Sequence, residues 1–311
     1  MGVLAPIRRL ADRLTGGRRP PHLPDVAWFD QPDALEQIDA RANRPDDRRV
    51  LQSWVRDGYA IVENVVPHDL IDHMVDDLDR LFVDDDLAPS AVLHDLVMPD
   101  GHRPNTDHRD LLALEPAERV AVRDRSSWRI HGFYQHSAAA DAVRQHPELR
   151  RIASMILGVD SRANYSINFH NGSTQALHQD TAVFHLGVPN LICGAWIACE
   201  DIVEGSGPLV YYPGSHRREL FDGFGSYPMV NLRTADPTTS AAYNAHVATE
   251  SAGFAEHTFL ARKGDVLFWH GMLIHGGQAI RRPETTRRSY VVHFIPDGAD
   301  VADRISGPTN W

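Results

Sequence analysis

After Gly158 the sequence breaks into short apolar runs separated by glycine and proline, and this punctuation constrains the fold more than any other feature of the chain. The runs cover residues 164–169, 176–180, 191–200, 209–212, 257–261, 266–269, 273–275 and 288–294. Each is long enough for a strand and too short for a helix. Many short strands with turn signals between them predict a barrel or jelly roll. Upstream the pattern is helical. A short helix is expected over 50–55, a strand over 59–66, and a helix opened by Pro67 and running to about Phe82, with Leu70, Ile71, Met74, Leu78 and Leu81 on its apolar stripe. A further helix is expected over 138–157, with Gly158 as its C-cap. The expectation is a mostly β, α+β protein: a cupin-like jelly-roll core with flanking N-terminal helices.

With 311 residues, the chain fits one catalytic domain. Residues 1–48 are rich in Pro, Arg and Asp and are expected to form an extension, with the domain over 49–311. The first twenty residues are basic but have no continuous hydrophobic region, so a flexible or partly helical tail is expected rather than an address signal. Residues 83–127 show little pattern and are read as a lid or wrapped loop. Residues 217–256 are read as an insertion crossing the barrel mouth, with a helix near 239–248 and with Phe221, Phe224, Tyr227, Arg233, Tyr243 and His246 available to a substrate. A net charge of −11 argues against a nucleic-acid surface, where basic side chains supply most of the affinity. It also favours a free small-molecule substrate over a coenzyme A thioester. Cys193 and Cys199 lie too far apart along one strand face to bridge, so both are expected to be reduced, in a cytoplasmic protein. No apolar run is long enough to span a membrane. The sequence does not indicate an oligomeric state.

Within the β-like region stands Leu177-His178-Gln179-Asp180. On a strand, side chains at i and i+2 share a face, so His178 and Asp180 can grip one ion. A second His-x-Asp, His108-Arg109-Asp110, leads into a helical pattern and is read as a cap. A third ligand is offered by His275 in Leu273-Ile274-His275-Gly276-Gly277, with His270 as the competitor; the glycines would let the backbone approach a bound group. His293 is read as a core histidine. Two imidazoles and one carboxylate leave three adjacent coordination positions open, which suits ferrous iron binding a chelating cosubstrate and dioxygen together. Arginine donates two parallel charge-assisted bonds to a carboxylate. Arg287 and Arg288 cannot share a face, and alternation alone leaves open which of them points inward.

These residues, in this order, resemble the phytanoyl-CoA dioxygenase family of iron(II) and 2-oxoglutarate-dependent oxygenases. The resemblance covers roughly residues 50–297 and rests also on Asp57-Gly58-Tyr59-Ala60-Ile61-Val62-Glu63-Asn64, Leu191-Ile192-Cys193-Gly194-Ala195-Trp196 and Gly207-Pro208-Leu209-Val210-Tyr211-Tyr212-Pro213-Gly214-Ser215-His216. It implies a double-stranded β-helix in which His178, Asp180 and His275 bind Fe(II), Arg287 holds 2-oxoglutarate, and dioxygen (O2) completes the set. It further implies cosubstrate contacts from Trp196 and from the strand carrying Tyr165 and Asn168. Gly277 stands where several relatives carry serine, and Asp180 stands where halogenating relatives carry a small residue. The implied reaction is oxidation of an unactivated C–H of a small-molecule metabolite, such as a natural-product intermediate, by hydroxylation, or by desaturation, epimerisation or cyclisation. The rival readings are a zinc hydrolase, for which Arg287 would have no evident use, and a metal-free cupin-like binding protein.

Overall fold

The computed structural model describes residues 23–85, 87–88, 90–184, 190–224 and 235–299. Eleven strands are described: β1 Tyr59–Val62, β2 Val92–Met98, β3 Gly101–Asp107, β4 Arg129–His131, β5 Ser161–Phe169, β6 Cys193–Ala198, β7 Leu209–Tyr211, β8 His257–Phe259, β9 Val266–His270, β10 His275–Gly277 and β11 Ser289–Pro296. They form an eight-stranded sheet in the order β1-β9-β6-β11-β5-β4-β2-β3 and a three-stranded sheet in the order β10-β7-β8, antiparallel throughout. This is the expected jelly-roll core.

Strand alternation divides the large sheet's side chains between two cores. Ala60, Cys193, Ala195, Ile197, Phe268, Tyr290 and Val292 face a helical layer. Ile167, Phe169, Trp196, Leu267, Trp269 and Val291 face Leu209, Tyr211 and Phe259 of the small sheet. Because β11 is covered on both sides, all eight of its residues are buried.

Four helices dominate the covering layer: α1 Pro45–Asp57, α2 His68–Arg80, α3 Ala138–Arg144 and α4 Pro147–Leu157. In α1, Pro45 sits where its missing N–H costs nothing, and the Asp47 carboxylate accepts from the Asn43 and Arg44 amides at 3.0 and 2.9 Å. The single helix expected over 138–157 is two helices. His146 is extended (φ −55°, ψ 128°) before Pro147, as the residue preceding a proline must be to escape the ring. Gly158 caps α4 in the left-handed region, as expected.

Two other expectations are corrected. Residues 83–127 are not a structureless loop, since they contain the β2–β3 hairpin and two helices, His108–Leu112 and Pro116–Arg125. The hairpin ends the large sheet, and β3 is largely exposed, so its polar composition hid an edge strand. His108 does not cap its helix through the side chain. Its buried ring lies between the Ala88 and Leu81 carbonyls, at 2.9 and 2.6 Å. In the described part of residues 1–48, Trp28, Phe29 and Ile38 pack in the helical core, Trp28 Nε1 donates to Ile156 O at 2.8 Å, and α1 begins at Pro45. The helix expected in the insertion spans Pro237–Ser251, while Tyr227 and Arg233 lie outside the described residues. Both cysteines are buried and free, as expected. Among the described residues no helix is long and apolar enough to cross a membrane.

Candidate metal centre

The segment 176–180 is not a strand, contrary to expectation. His178 makes one antiparallel bridge to His275 at the edge of the small sheet, with His178 N–H to His275 O at 2.9 Å and the reverse bond at 3.0 Å. Gln179 is extended (φ −117°, ψ 131°), and Asp180 then opens a single 3-10 turn. One extended residue preserves the i, i+2 relation, so His178 and Asp180 still face the same way. Gly276 allows the bridge, because a Cβ there would lie 2.9 Å from the Gln175 carbonyl oxygen. The glycine thus admits a neighbouring chain segment rather than a bound group.

His178, Asp180 and His275 each present a ligand atom within 4.8 Å of the others. Asp180 Oδ1 lies 3.8 Å from both Nε2 atoms. Each imidazole has its other nitrogen committed to a backbone carbonyl: His178 Nδ1 to Ala176 O and His275 Nδ1 to Leu273 O, both at 2.9 Å. A carbonyl can only accept, so Nδ1 carries the proton and the Nε2 lone pairs face Asp180. Burial foremost, with His178 beside it, pushes His275 down to about 4, so its ring is neutral near pH 7, as a metal ligand must be.

Asp180 is almost fully buried, and burial alone would raise its carboxyl. Its neighbours, His293 foremost through the hydrogen bond to Oδ2 and its electrostatic influence, then His275 and His178, outweigh that and hold it below the usual carboxylate range. Its Oδ2 accepts from Trp269 Nε1 at 2.7 Å and lies 2.9 Å from His293 Nε2. His293 is therefore more than the core histidine expected of it. Alternation along β11 carried the signal, since His293 shares the parity of Val291 and Arg287. Gly194 is required here too, because a methyl group on it would overlap the Trp269 indole. Gly194→Ala is expected to cost roughly 1–3 kcal/mol by overpacking and to weaken metal binding, measurable by denaturant unfolding and metal titration. An unchanged Trp269 environment and metal affinity would refute this reading of Gly194.

Arg287 is nine-tenths or more buried, with its guanidinium 5.6 Å from the Trp196 ring and 5.3 Å from that of Phe169. Its Nη1 donates to Ser289 Oγ at 2.9 Å, its Nε has no partner, and no carboxylate among the described residues lies in ion-pair range. Burial lowers it to about 10, still charged near neutrality. An unpaired buried guanidinium is costly unless an anion joins it. Arg288 faces the other way and pairs with Asp79 at 3.1 Å, which settles the alternation in favour of Arg287.

Trp196 stands beside Arg287, its ring 5.6 Å from the guanidinium. Tyr165 pairs with His293 across β5 and β11 and hydrogen-bonds His131, within reach of Phe184. Asn168 is a correction. It has the opposite parity, its buried Nδ2 lies 3.4 Å from Met74 Sδ of α2, and it faces the helical layer. His270 does not join the His178, Asp180 and His275 cluster. It points to the same layer, where Nδ1 accepts from the Met272 amide at 3.0 Å and Nε2 faces Asp30 Oδ1 at 3.3 Å. From the insertion, the buried Tyr243 hydroxyl accepts from the Gln179 amide at 2.9 Å, tying that helix to the backbone between two triad members.

The three donors fit ferrous iron, and the unpaired Arg287 fits a carboxylate. A jelly roll carrying this donor set has the architecture of the non-haem iron, 2-oxoglutarate-dependent oxygenases. The chain belongs to the phytanoyl-CoA dioxygenase family, whose sequence profile matches residues 54–289. It is 26% identical over 188 residues to the phytanoyl-CoA dioxygenase domain-containing protein 1 of Mus musculus, which covers 58% of this chain and 60% of that protein. Its fold is similar to that of the epimerase SnoN in complex with Fe3+, alpha ketoglutarate and nogalamycin RO (TM-score 0.57, 18% identity, 89% of this chain and 92% of the other). It is also similar to the carbocyclase SnoK from nogalamycin biosynthesis (TM-score 0.58, 16% identity, 84% and 94%).

Proposed function

We propose that this protein is an Fe(II)- and 2-oxoglutarate-dependent dioxygenase that hydroxylates an unactivated C–H of a small-molecule metabolite in the cytoplasm, with a natural-product intermediate as the favoured substrate class. The observation that carries this reading is the pairing of a triad whose Asp180 and His275 are buried and His178 half-buried with a buried guanidinium that has no carboxylate in ion-pair range among the described residues. A zinc hydrolase leaves Arg287 without a purpose, and a binding protein leaves the two Nδ1-anchored imidazoles without one.

In this reading His178, Asp180 and His275 hold the metal, Arg287 takes the far carboxylate of 2-oxoglutarate, and Trp196 packs beside it. Bound there, iron with its cosubstrate supplies dioxygen activation coupled to decarboxylation to succinate, an oxidant strong enough for an unactivated C–H. The protein binds, orients and excludes water. Tyr165, with Phe184 beside it, forms the wall next to His293 on which a substrate rests, and its hydroxyl is fixed by His131. Positioning at that wall decides whether oxidation ends in an alcohol or follows the epimerising or ring-closing course named for the solved neighbours. SnoN and SnoK support a natural-product substrate, and the acidic net charge disfavours a coenzyme A thioester.

Anaerobic addition of ferrous iron and 2-oxoglutarate is expected to produce a weak visible charge-transfer band, and its absence would overturn the reading. Screening metabolites for stimulated succinate release then finds the substrate. Arg287→Met should raise the KM for 2-oxoglutarate by about 10–100-fold, the worth of roughly 1.5–3 kcal/mol for a charged hydrogen-bonding partner, while iron affinity stays within about threefold. A normal KM in this variant would show that Arg287 does not hold the cosubstrate.

A further inference from the structure

Both oxygens of the Asp180 carboxylate are spoken for in different ways. Oδ1 faces the two imidazoles at 3.8 Å, whereas Oδ2 accepts from Trp269 and lies 2.9 Å from His293 Nε2. His293 and Trp269 come from separate strands, β11 and β9, and both point inward from the large sheet. Trp269 has its place because residue 194 has no side chain. Two donors on one oxygen fill its lone pairs and fix the plane of the carboxylate.

We infer that His293, with Trp269, is a positioning residue that restricts Asp180 to ligation through Oδ1 alone. The consequence is a count of coordination positions and rests on the proposed oxygenase function. Three protein ligands on a six-coordinate ion leave three places, two for the chelating cosubstrate and one for dioxygen. A carboxylate free to swing both oxygens onto the ion would take one of those places, and cosubstrate and dioxygen would then compete. Holding Oδ2 aside keeps the third position open. It also orients the carboxylate so that little freedom is lost when the ion binds.

The test uses the full chain as wild type, His293→Leu, His293→Gln and Trp269→Phe, titrated anaerobically with Co(II) and with Fe(II) and then with 2-oxoglutarate. The cobalt ligand-field spectrum reports coordination number, and circular dichroism checks folding. His293→Leu is expected to bind metal about 10–100-fold more weakly, the usual range for a group that orients a ligand. At saturating metal its cobalt spectrum should shift towards a more highly coordinated ion and its 2-oxoglutarate band should weaken. His293→Gln restores an N–H donor and should recover metal affinity to within about threefold of wild type, which a merely space-filling role for the ring would not produce. Leucine and glutamine variants that bind metal and cosubstrate alike would overturn the inference. If His293→Leu fails to fold, Trp269→Phe decides: unchanged metal affinity and an unchanged cobalt spectrum overturn it, and a loss approaching tenfold supports it. A wild-type protein that binds neither metal nor 2-oxoglutarate would overturn the oxygenase reading as well. Tight wild-type binding with indifferent variants would overturn this inference alone.

Discussion

Replacing Asp180 with alanine is expected to abolish iron-dependent turnover of 2-oxoglutarate, with a loss of at least about 100-fold, beyond the 10–100-fold typical of residues that merely orient ligands. The side chain is the only carboxylate of the cluster, and its Oδ1 is equidistant from the two histidine Nε2 atoms. Without it two imidazoles remain, a weak site for a hard divalent ion. The variant also separates the rival readings. A metal-free binding protein would keep its ligand affinity, since among the described residues the hydrogen-bond and ion-pair partners of this carboxylate are the two triad histidines, Trp269 and His293. Alanine should leave the fold intact, because the backbone bonds of residue 180 to Val183 and Phe184 do not involve the side chain. Succinate formation at the wild-type rate, with circular dichroism unchanged, would show that Asp180 is not a ligand.

Much of this site was legible because metal chemistry and strand alternation both leave marks in one dimension. His178 and Asp180 stand two apart with one extended residue between them, so the shared face survived even though the strand around them did not form. The inward register of Arg287 follows from the same alternation, but only once the structure shows which face of β11 the small sheet covers. Asn168 was misassigned for the complementary reason: a strand running along a pocket offers it only every second residue, and Tyr165 already had the inward face. What sequence could not carry was contact at long separation. His293 and Trp269 reach Asp180 from 113 and 89 residues away, and no periodicity announces that two strands will aim donors at one oxygen. The β2–β3 hairpin was lost differently. An edge strand with one face in solvent has too few apolar residues to stand out from a loop.

The metal-free fold should be unusually sensitive to mild acid. Burial foremost keeps three histidines neutral, with His170 and His275 pushed down to about 4 and His216 to about 3, and His131 is lowered in the same direction. In the unfolded chain each returns to about 6.5. Above that pH neither state binds the proton and stability is unaffected. Below it the unfolded state takes up protons that the folded state refuses, so unfolding becomes easier as pH falls, by about 1.4 kcal/mol per unit per histidine, until the folded values are reached. By pH 5 each of the three contributes a loss of roughly 2 kcal/mol, and their sum is comparable with the whole stability of an ordinary domain, about 5–15 kcal/mol. The carboxylates do not offset this, since Asp180 and Asp30 are lowered below their ordinary value and lose their contribution only at still lower pH. Urea midpoints of the metal-free protein at pH 7.5, 6 and 5 should therefore fall steeply across the series. His216→Gln should reduce that slope by about one quarter if the four sites, His131 included, act independently, because glutamine can still donate to the Val55 carbonyl that lies 3.3 Å from His216 Nε2. Midpoints that stay flat between pH 7.5 and 5 would mean that these imidazoles take up protons in the folded state as readily as in the unfolded one. In that case the interior around His216 and His275 would have to be far wetter than its burial implies.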